Sequence, residues 1–327
     1  GYEYKKNIIL NAGNSGTLAR LIMGLLVHSK NKIKIIGDKS LSKRDFLRVI
    51  EPLNKIGVKF YPKDKSKLPI SIVGSNYLRP ITYYEKKGSA QCKTCVMLAS
   101  LNTPGEMKIY AKRSRNHTEL MFKNINIPIK INNKKKFSLI KTSSPRELNG
   151  FDYNIPGDIS SGAFFIALTL LSKNSKLKLK NINLNPTRLG ILKILNKMGA
   201  RIKTKNTKTI KGEKCGDIIV KSNNKLKAIN CPTSLNSSAI DEFLIIFLLA
   251  AKSKGVSYFK ELSELNKKES PRLKLGSKIL NMIGIKTKLT DNTIKIYGNP
   301  NLRLDRKFEM KNYLKDHRIM AMCTIAA

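Results

Sequence analysis

Leu53-Asn54-Lys55-Ile56-Gly57 recurs with small changes as Leu195-Asn196-Lys197-Met198-Gly199 and as Leu280-Asn281-Met282-Ile283-Gly284. Each copy closes a stretch whose apolar residues fall at helical spacing, as Leu189, Leu192, Leu195 and Met198 do. Glycine suits the left-handed position that ends a helix, and strand-like residues follow it: Val58 and Phe60, then Ala200 and Ile202. A weaker copy, Phe122-Lys123-Asn124-Ile125-Asn126, ends on asparagine, the next most tolerant residue of that conformation. The closing residues 57, 126, 199 and 284 stand about 70 to 85 residues apart. One helix-to-strand transition is therefore written four times.

A second helix type alternates with the first. It opens on small or polar residues and then turns apolar, as at Ser15-Gly16-Thr17-Leu18, Ser89-Ala90-Gln91-Cys92, Ile159-Ser160-Ser161-Gly162, Ala239-Ile240-Asp241-Glu242 and Asp316-His317-Arg318-Ile319. β-Branched segments such as Lys32 to Ile36 and Ile218 to Val220 lie between the helices. The pattern implies a repeated α/β unit with two helices in each copy. The polar openings are helix N-termini, where free N–H groups and the helix dipole favour anions.

The 327 residues suffice for two domains with substantial cores, and 41% apolar content suits a globular chain. The longest apolar stretches, Ala163 to Leu171 and Phe243 to Ala251, are too short to cross a bilayer and read as buried helices. Five cysteines do not make a disulfide framework and point to a reducing compartment. Cys92-Lys93-Thr94-Cys95 has redox-motif spacing but continues as a helix, so both thiols are expected to be packed. Metal-site spacing is absent. The formal charge of +41 allows either a nucleic-acid surface or a site for multiply anionic small molecules. Runs such as Asn132-Asn133-Lys134-Lys135-Lys136 carry no interleaved aromatics, so a base-stacking platform is not suggested and most of the charge reads as solvated.

Several segments carry a family likeness. Asn14-Ser15-Gly16-Thr17-Leu18-Ala19-Arg20 resembles the phosphoenolpyruvate loop of the shikimate-pathway enolpyruvyl transferases, and Gly37-Asp38-Lys39-Ser40-Leu41-Ser42-Lys43-Arg44 resembles their next basic motif. Ser89-Ala90-Gln91-Cys92-Lys93, Arg115-Asn116-His117-Thr118-Glu119 and Asn185-Pro186-Thr187-Arg188 are similar to markers of the class II branch. Asp241-Glu242-Phe243, Lys268-Glu269-Ser270 with Arg272, and Asp316-His317-Arg318 follow in the family's order. On these motifs the chain resembles the 5-enolpyruvylshikimate-3-phosphate synthases.

The resemblance implies an α/β fold of two lobes, each an inside-out barrel of βαβαββ units, with the active site in the cleft between them. Residues 1–154 are expected to form the upper lobe without much of its first repeat. Residues 155–327 would form the lower lobe without its N-terminal strand segment and C-terminal end. Both ends of the sequence read as cut: it opens on Gly1, closes inside the apolar run Ile325-Ala326-Ala327, and does not contain the family's opening Pro-Gly-Asp-Lys-Ser-like motif or its C-terminal lysine. On that reading the chain by itself is expected to be inactive, the activity belonging to the longer protein. Asp45 and Pro271 depart from the family pattern, and Pro271 places a helix start near Arg272.

The implied reaction transfers the carboxyvinyl group of phosphoenolpyruvate to the 5-hydroxyl of shikimate 3-phosphate, releasing phosphate, in aromatic amino-acid biosynthesis. It needs no metal or other cofactor. Residue by residue, the likeness assigns phosphoenolpyruvate to Gly16, Arg44, Gln91, Arg272 and Arg318. It assigns shikimate 3-phosphate to Ser89, Ala90, Gln91, Arg115, Asp241 and Lys268, with Lys43, Lys93 and Arg188 as further candidates. Asp241 is the expected base and Glu269 the candidate for handling the C3 proton. The expected setting is a cytoplasmic monomer without membrane or specific nucleic-acid partners. Two other readings are a UDP-N-acetylglucosamine enolpyruvyl transferase, whose usual reactive-cysteine loop has no counterpart here, and a basic nucleic-acid-binding repeat protein.

Overall fold

The repeated closing motif is a helix stop in all four places. Gly57, Asn126, Gly199 and Gly284 have φ of +121°, +57°, +84° and +85°. In each case the next amide bonds back into the helix: Val58 to the Leu53 carbonyl, Ile127 to Phe122, Ala200 to Leu195 and Ile285 to Leu280, at 2.9–3.1 Å. This is a Schellman stop, and its apolar pairs, Leu53 with Val58 and Leu280 with Ile285, are buried. A strand follows each stop.

A computed structural model describes residues 8–134, 137–222, 225–303, 309–311, 313 and 315–327. Lys135 and Lys136 of the basic run lie outside the described residues. The chain divides into two compact units, Gly1–Asp152 and Tyr153–Ala327.

The first unit holds two copies of one topology. The first is β1 (Ile8–Asn11), α1 (Gly16–Leu25), β2 (Ile33–Ile36), α2 (Leu47–Ile56), β3 (Lys59–Tyr61) and β4 (Ile70–Val73), with sheet order β1-β2-β4-β3. The second is β5 (Thr82–Glu85), α3 (Ala90–Ala99), β6 (Glu106–Ala111), α4 (His117–Asn124), β7 (Ile129–Asn133) and β8 (Ser138–Ser143), ordered β5-β6-β8-β7. In each, the first two strands pair parallel across a helix and the others antiparallel. The parallel pair needs a crossover, which α1 and α3 supply. Ala19, Met23, Ile33, Ile35, Val49, Leu53 and Cys95 meet in the larger of this unit's two cores.

The second unit repeats the plan with its leading strands reduced to single bridges. Gly157 pairs parallel with Ile182, ahead of α5 (Ile159–Leu171), β9 (Lys176–Asn183), α6 (Gly190–Lys197), β10 (Arg201–Ile210) and β11 (Glu213–Lys221). Lys227 and Asn230 pair parallel with Lys254 and Tyr258, around α7 (Asn236–Ala239), α8 (Phe243–Ala251) and β12 (Gly255–Phe259). Then come α9 (Arg272–Met282), β13 (Thr287–Leu289), β14 (Ile294–Gly298) and α10 (His317–Ala326). Helix α8 is buried at every residue, with Phe243 and Phe247 packed on Phe259 at ring separations of 6.0 and 5.1 Å. An all-apolar helix of this length is a core element. Among the described residues no single helix is long and apolar enough to cross a membrane. The five cysteines are free, Cys92 and Cys95 being buried in α3.

Candidate active site

Each unit gathers expected site residues at its helix starts. In the first unit, α1 begins at Gly16 with Ser15 as its cap, the Ser15 hydroxyl accepting the Leu18 amide at 3.1 Å. The turn carrying Arg44 is tied to this loop by Asp38. Its carboxylate accepts the Leu41 amide at 2.7 Å and the Asn14 side-chain amide at 2.5 Å, and its own amide reaches the Gly13 carbonyl at 2.8 Å. The Leu41 amide and then Asn14 hold the Asp38 carboxyl below the usual carboxylate range.

Gly16 is small for a spatial reason. A Cβ there would stand 2.9 Å from Nη1 of both Arg20 and Arg44. Two guanidinium groups thus crowd one helix start. Gln91, on the first turn of α3, donates to Thr17 Oγ1 at 2.6 Å and accepts from Arg20 Nη1 at 2.9 Å. Arg20 also donates to the Asp45 carbonyl at 3.2 Å and lies over the Phe46 ring. Burial pulls the Arg20 pKa below the usual arginine value, and the charges of Arg44 and Arg48 act in the same direction. The sequence placed Arg20 in a motif but gave it no role; its i, i+4 spacing from Gly16 was the available signal.

Ser89 caps α3, accepting the Cys92 amide at 3.3 Å, so Ala90 is the first helical residue. The loop before it is shaped by Glu85, which takes the amides of Lys87 and Gly88 and the Arg48 guanidinium. Lys93 is buried. It pairs with Glu119 at 2.5 Å and donates to the Arg115 carbonyl at 2.8 Å, so it fixes the Arg115 loop from inside.

In the second unit, Arg272 is the hub. Its guanidinium, 2% exposed, donates through Nε to Asp316 Oδ2 at 2.9 Å and through Nη2 to Asp316 Oδ1 at 3.3 Å. Nη2 also meets Glu269, and Nη1 stands 3.5 Å from Asp241 Oδ1. Pro271 precedes this first residue of α9, as its fixed backbone angle favours. Lys268 Nζ lies 3.3 Å from the same Asp241 oxygen. Arg318 donates to the Asp241 carbonyl at 2.8 Å. Asp316 is fully buried. Burial alone would raise its pKa, but Arg272, the Ser270 hydroxyl and the Arg318 amide together hold it below the usual range. One carboxylate therefore orients Arg272 and caps the helix carrying Arg318. Its role was not legible, because it depends on Arg272 arriving from 44 residues away.

Asp241 and Glu242 are not an ordinary helix start. They occupy the turn between α7 and α8, where the chain bends by 120°, and Glu242 makes no capping bond to α8. Its carboxylate instead accepts from the Ser160 hydroxyl. Ser160 in turn accepts from Arg188, which also pairs with Asp158 at 2.7 Å. Among the described residues no three His, Cys, Asp or Glu side chains converge as metal ligands would.

Both units thus bring cations and hydrogen-bond donors to helix starts, and the second sets a carboxylate among them. The family model described as EPSP synthase (3-phosphoshikimate 1-carboxyvinyltransferase) matches residues 1–327. The chain belongs to this family. A 3-phosphoshikimate 1-carboxyvinyltransferase of Petrotoga mobilis is 37% identical over 97% of this chain and 72% of its own length. One from Ruthia magnifica is 39% identical over 97% and 71%. The solved EPSP synthase of Acinetobacter baumannii superposes with a TM-score of 0.83 at 33% identity, covering 98% of this chain and 72% of that one. The enolpyruvyl transferase NikO of Streptomyces tendae shares the fold, with a TM-score of 0.67 at 14% identity over 88% and 65%.

Proposed function

We propose that the protein to which this chain belongs transfers the carboxyvinyl group of phosphoenolpyruvate to the 5-hydroxyl of shikimate 3-phosphate, with release of phosphate. The observation that carries the reading is the Asp241 carboxylate faced by Lys268 and Arg272, in a chain of the EPSP synthase family. Asp241 takes the 5-hydroxyl proton as the oxygen attacks C2 of phosphoenolpyruvate, and C3 gains a proton. The resulting ketal expels phosphate and gives up a C3 proton, which restores the double bond. Glu269, beside Arg272, supplies the proton that C3 gains and takes back the one it gives up.

Arg44, Arg318 and the Nη1 edge of Arg272 hold phosphoenolpyruvate, since planar guanidinium groups match carboxylate and phosphate. Gly16 leaves the α1 start open to an anion, and Gln91 bridges the two substrates. Ser89, the Ala90 amide, Arg115 and Lys268 hold shikimate 3-phosphate. The same reading makes the protein a cytoplasmic monomer working without metal, membrane or specific nucleic acid. The full-length protein is expected to release phosphate with shikimate 3-phosphate as acceptor and not with UDP-N-acetylglucosamine. The reverse preference would overturn the assignment.

A further inference from the structure

Glu242 is 3% exposed at the head of a helix that is otherwise wholly apolar. A buried carboxylate is costly to keep unless it is hydrogen-bonded, and an apolar side chain would fill such a place more cheaply. At the N-cap position its ordinary task would be to accept an amide of α8, yet it makes no such bond. It turns instead to Ser160, a fully buried residue of α5.

The bonding there has a direction. A serine hydroxyl has one proton. Arg188 donates to the Ser160 oxygen, so the Ser160 proton is left for Glu242. Arg188 is itself held by Asp158, the cap of α5. The chain Asp158–Arg188–Ser160–Glu242 therefore ties the α7–α8 turn to the start of α5. On the other side of the same turn, Arg318 grips the Asp241 carbonyl at 2.8 Å. The Asp241–Glu242 peptide is thus fastened from two directions, with the Asp241 carboxylate facing Lys268 and Arg272. Burial, with Asp241 adding to it, raises the Glu242 carboxyl above the usual range, so the residue suits holding a turn better than clamping an anionic substrate.

We infer that Glu242 is a positioning residue for Asp241, locking the α7–α8 turn through Ser160 and Arg188 so that the base keeps its aim. This rests on Asp241 being the base. The test uses the full-length protein with Asp241→Ala, Glu242→Ala, Glu242→Gln, Ser160→Ala and the Ser160→Ala/Glu242→Ala double variant. Glu242→Ala is expected to lower kcat by about 10²-fold, the scale of a misplacement near 1 Å, with both KM values nearly unchanged. Glu242→Gln keeps an acceptor for Ser160 and should recover most of the rate. The double variant should be no slower than the slower single one, because both remove one link.

Unchanged kcat in folded Glu242→Ala, or additive losses in the double variant, would overturn the proposal. Should Glu242→Ala fail to fold, Ser160→Ala carries the same expectation, a lower kcat at steady KM, and an unchanged kcat there counts against it equally. If Asp241→Ala keeps its turnover, the base assignment falls and the positioning role with it. If Asp241→Ala is inactive while Glu242→Ala is not, the positioning role alone is lost.

Discussion

A methyl group on Gly16 would press on the guanidinium ends of Arg20 and Arg44, which are flexible enough to move but not without losing their aim. Losing one charge-assisted contact of about 1.5–3 kcal/mol corresponds to roughly tenfold to hundredfold in affinity. Gly16→Ala is therefore expected to raise the KM for phosphoenolpyruvate by about that range and, as the family resemblance implies for an inhibitor directed at the phosphoenolpyruvate site, to relieve inhibition by glyphosate. An unchanged glyphosate inhibition constant would contradict the Gly16 account. Asp241→Ala should lower kcat by about 10²–10⁴-fold, the usual contribution of a general base, while calorimetry shows shikimate 3-phosphate binding much less affected. Equal losses in binding and turnover would reduce Asp241 to a ligand contact. Motifs in the sequence singled out Gly16, Asp241 and Arg318, and the structure sets them at the start of α1, in the α7–α8 turn and in the first turn of α10. Pairings were not legible. Arg20 with Gln91, and Ser160 with Glu242, join residues 71 and 82 positions apart, and nothing local encodes such meetings.

The helix stops were legible at the scale of elements because their cause is local. Only glycine and asparagine sit easily at the left-handed φ found at 126, 199 and 284, and only glycine at the +121° of residue 57. Around Gly284 a Cβ would meet nothing within 4 Å, so Gly284→Ala isolates the backbone effect. It should cost about 1–2 kcal/mol, read as a lower denaturation midpoint at unchanged slope. The bends in the β9–β10–β11 sheet were not legible. Pairing shifts register between Lys205 and Lys208 and again between Gly216 and Ile218, with Asn206 and Asn181 at positive φ. Asp217 stands between both irregularities and binds Lys178, the Asn181 amide and the Asn206 side chain. Lys178 first, then the two asparagines, bring its pKa down to about 2 from an ordinary 3.8. A carboxyl depressed in the fold stabilises it above the unfolded pKa and loses that contribution as pH falls from near 4 through about 2. Asp217→Asn should accordingly destabilise the protein at neutral pH, with the gap to the parent closing toward pH 2 in an acid-unfolding series. A gap independent of pH would exclude this role.

Across the whole molecule, charge is the property most easily misread. Lysine and arginine number 63 against 22 acids, yet the proposed site draws on only a few of them. On β9 and β10, Lys176, Lys180, Arg201, Lys203 and Lys205 are solvated, while the organising cations Lys93 and Arg272 are buried against carboxylates. Fold and chemistry therefore came from the repeat and from the ordered motifs rather than from net charge. The repeat was readable because its signals are capping residues and periodicity. The leading strands of the second unit were not, because single bridges at Gly157, Lys227 and Asn230 leave no alternating run to detect. The most direct test follows phosphorus in the full-length protein by 31P NMR. With phosphoenolpyruvate and shikimate 3-phosphate together, the phosphoenolpyruvate signal should fall as inorganic phosphate rises in equal amount, and a new phosphate ester should replace that of shikimate 3-phosphate. Persistence of both substrate signals with folded protein would contradict the carboxyvinyl transfer itself.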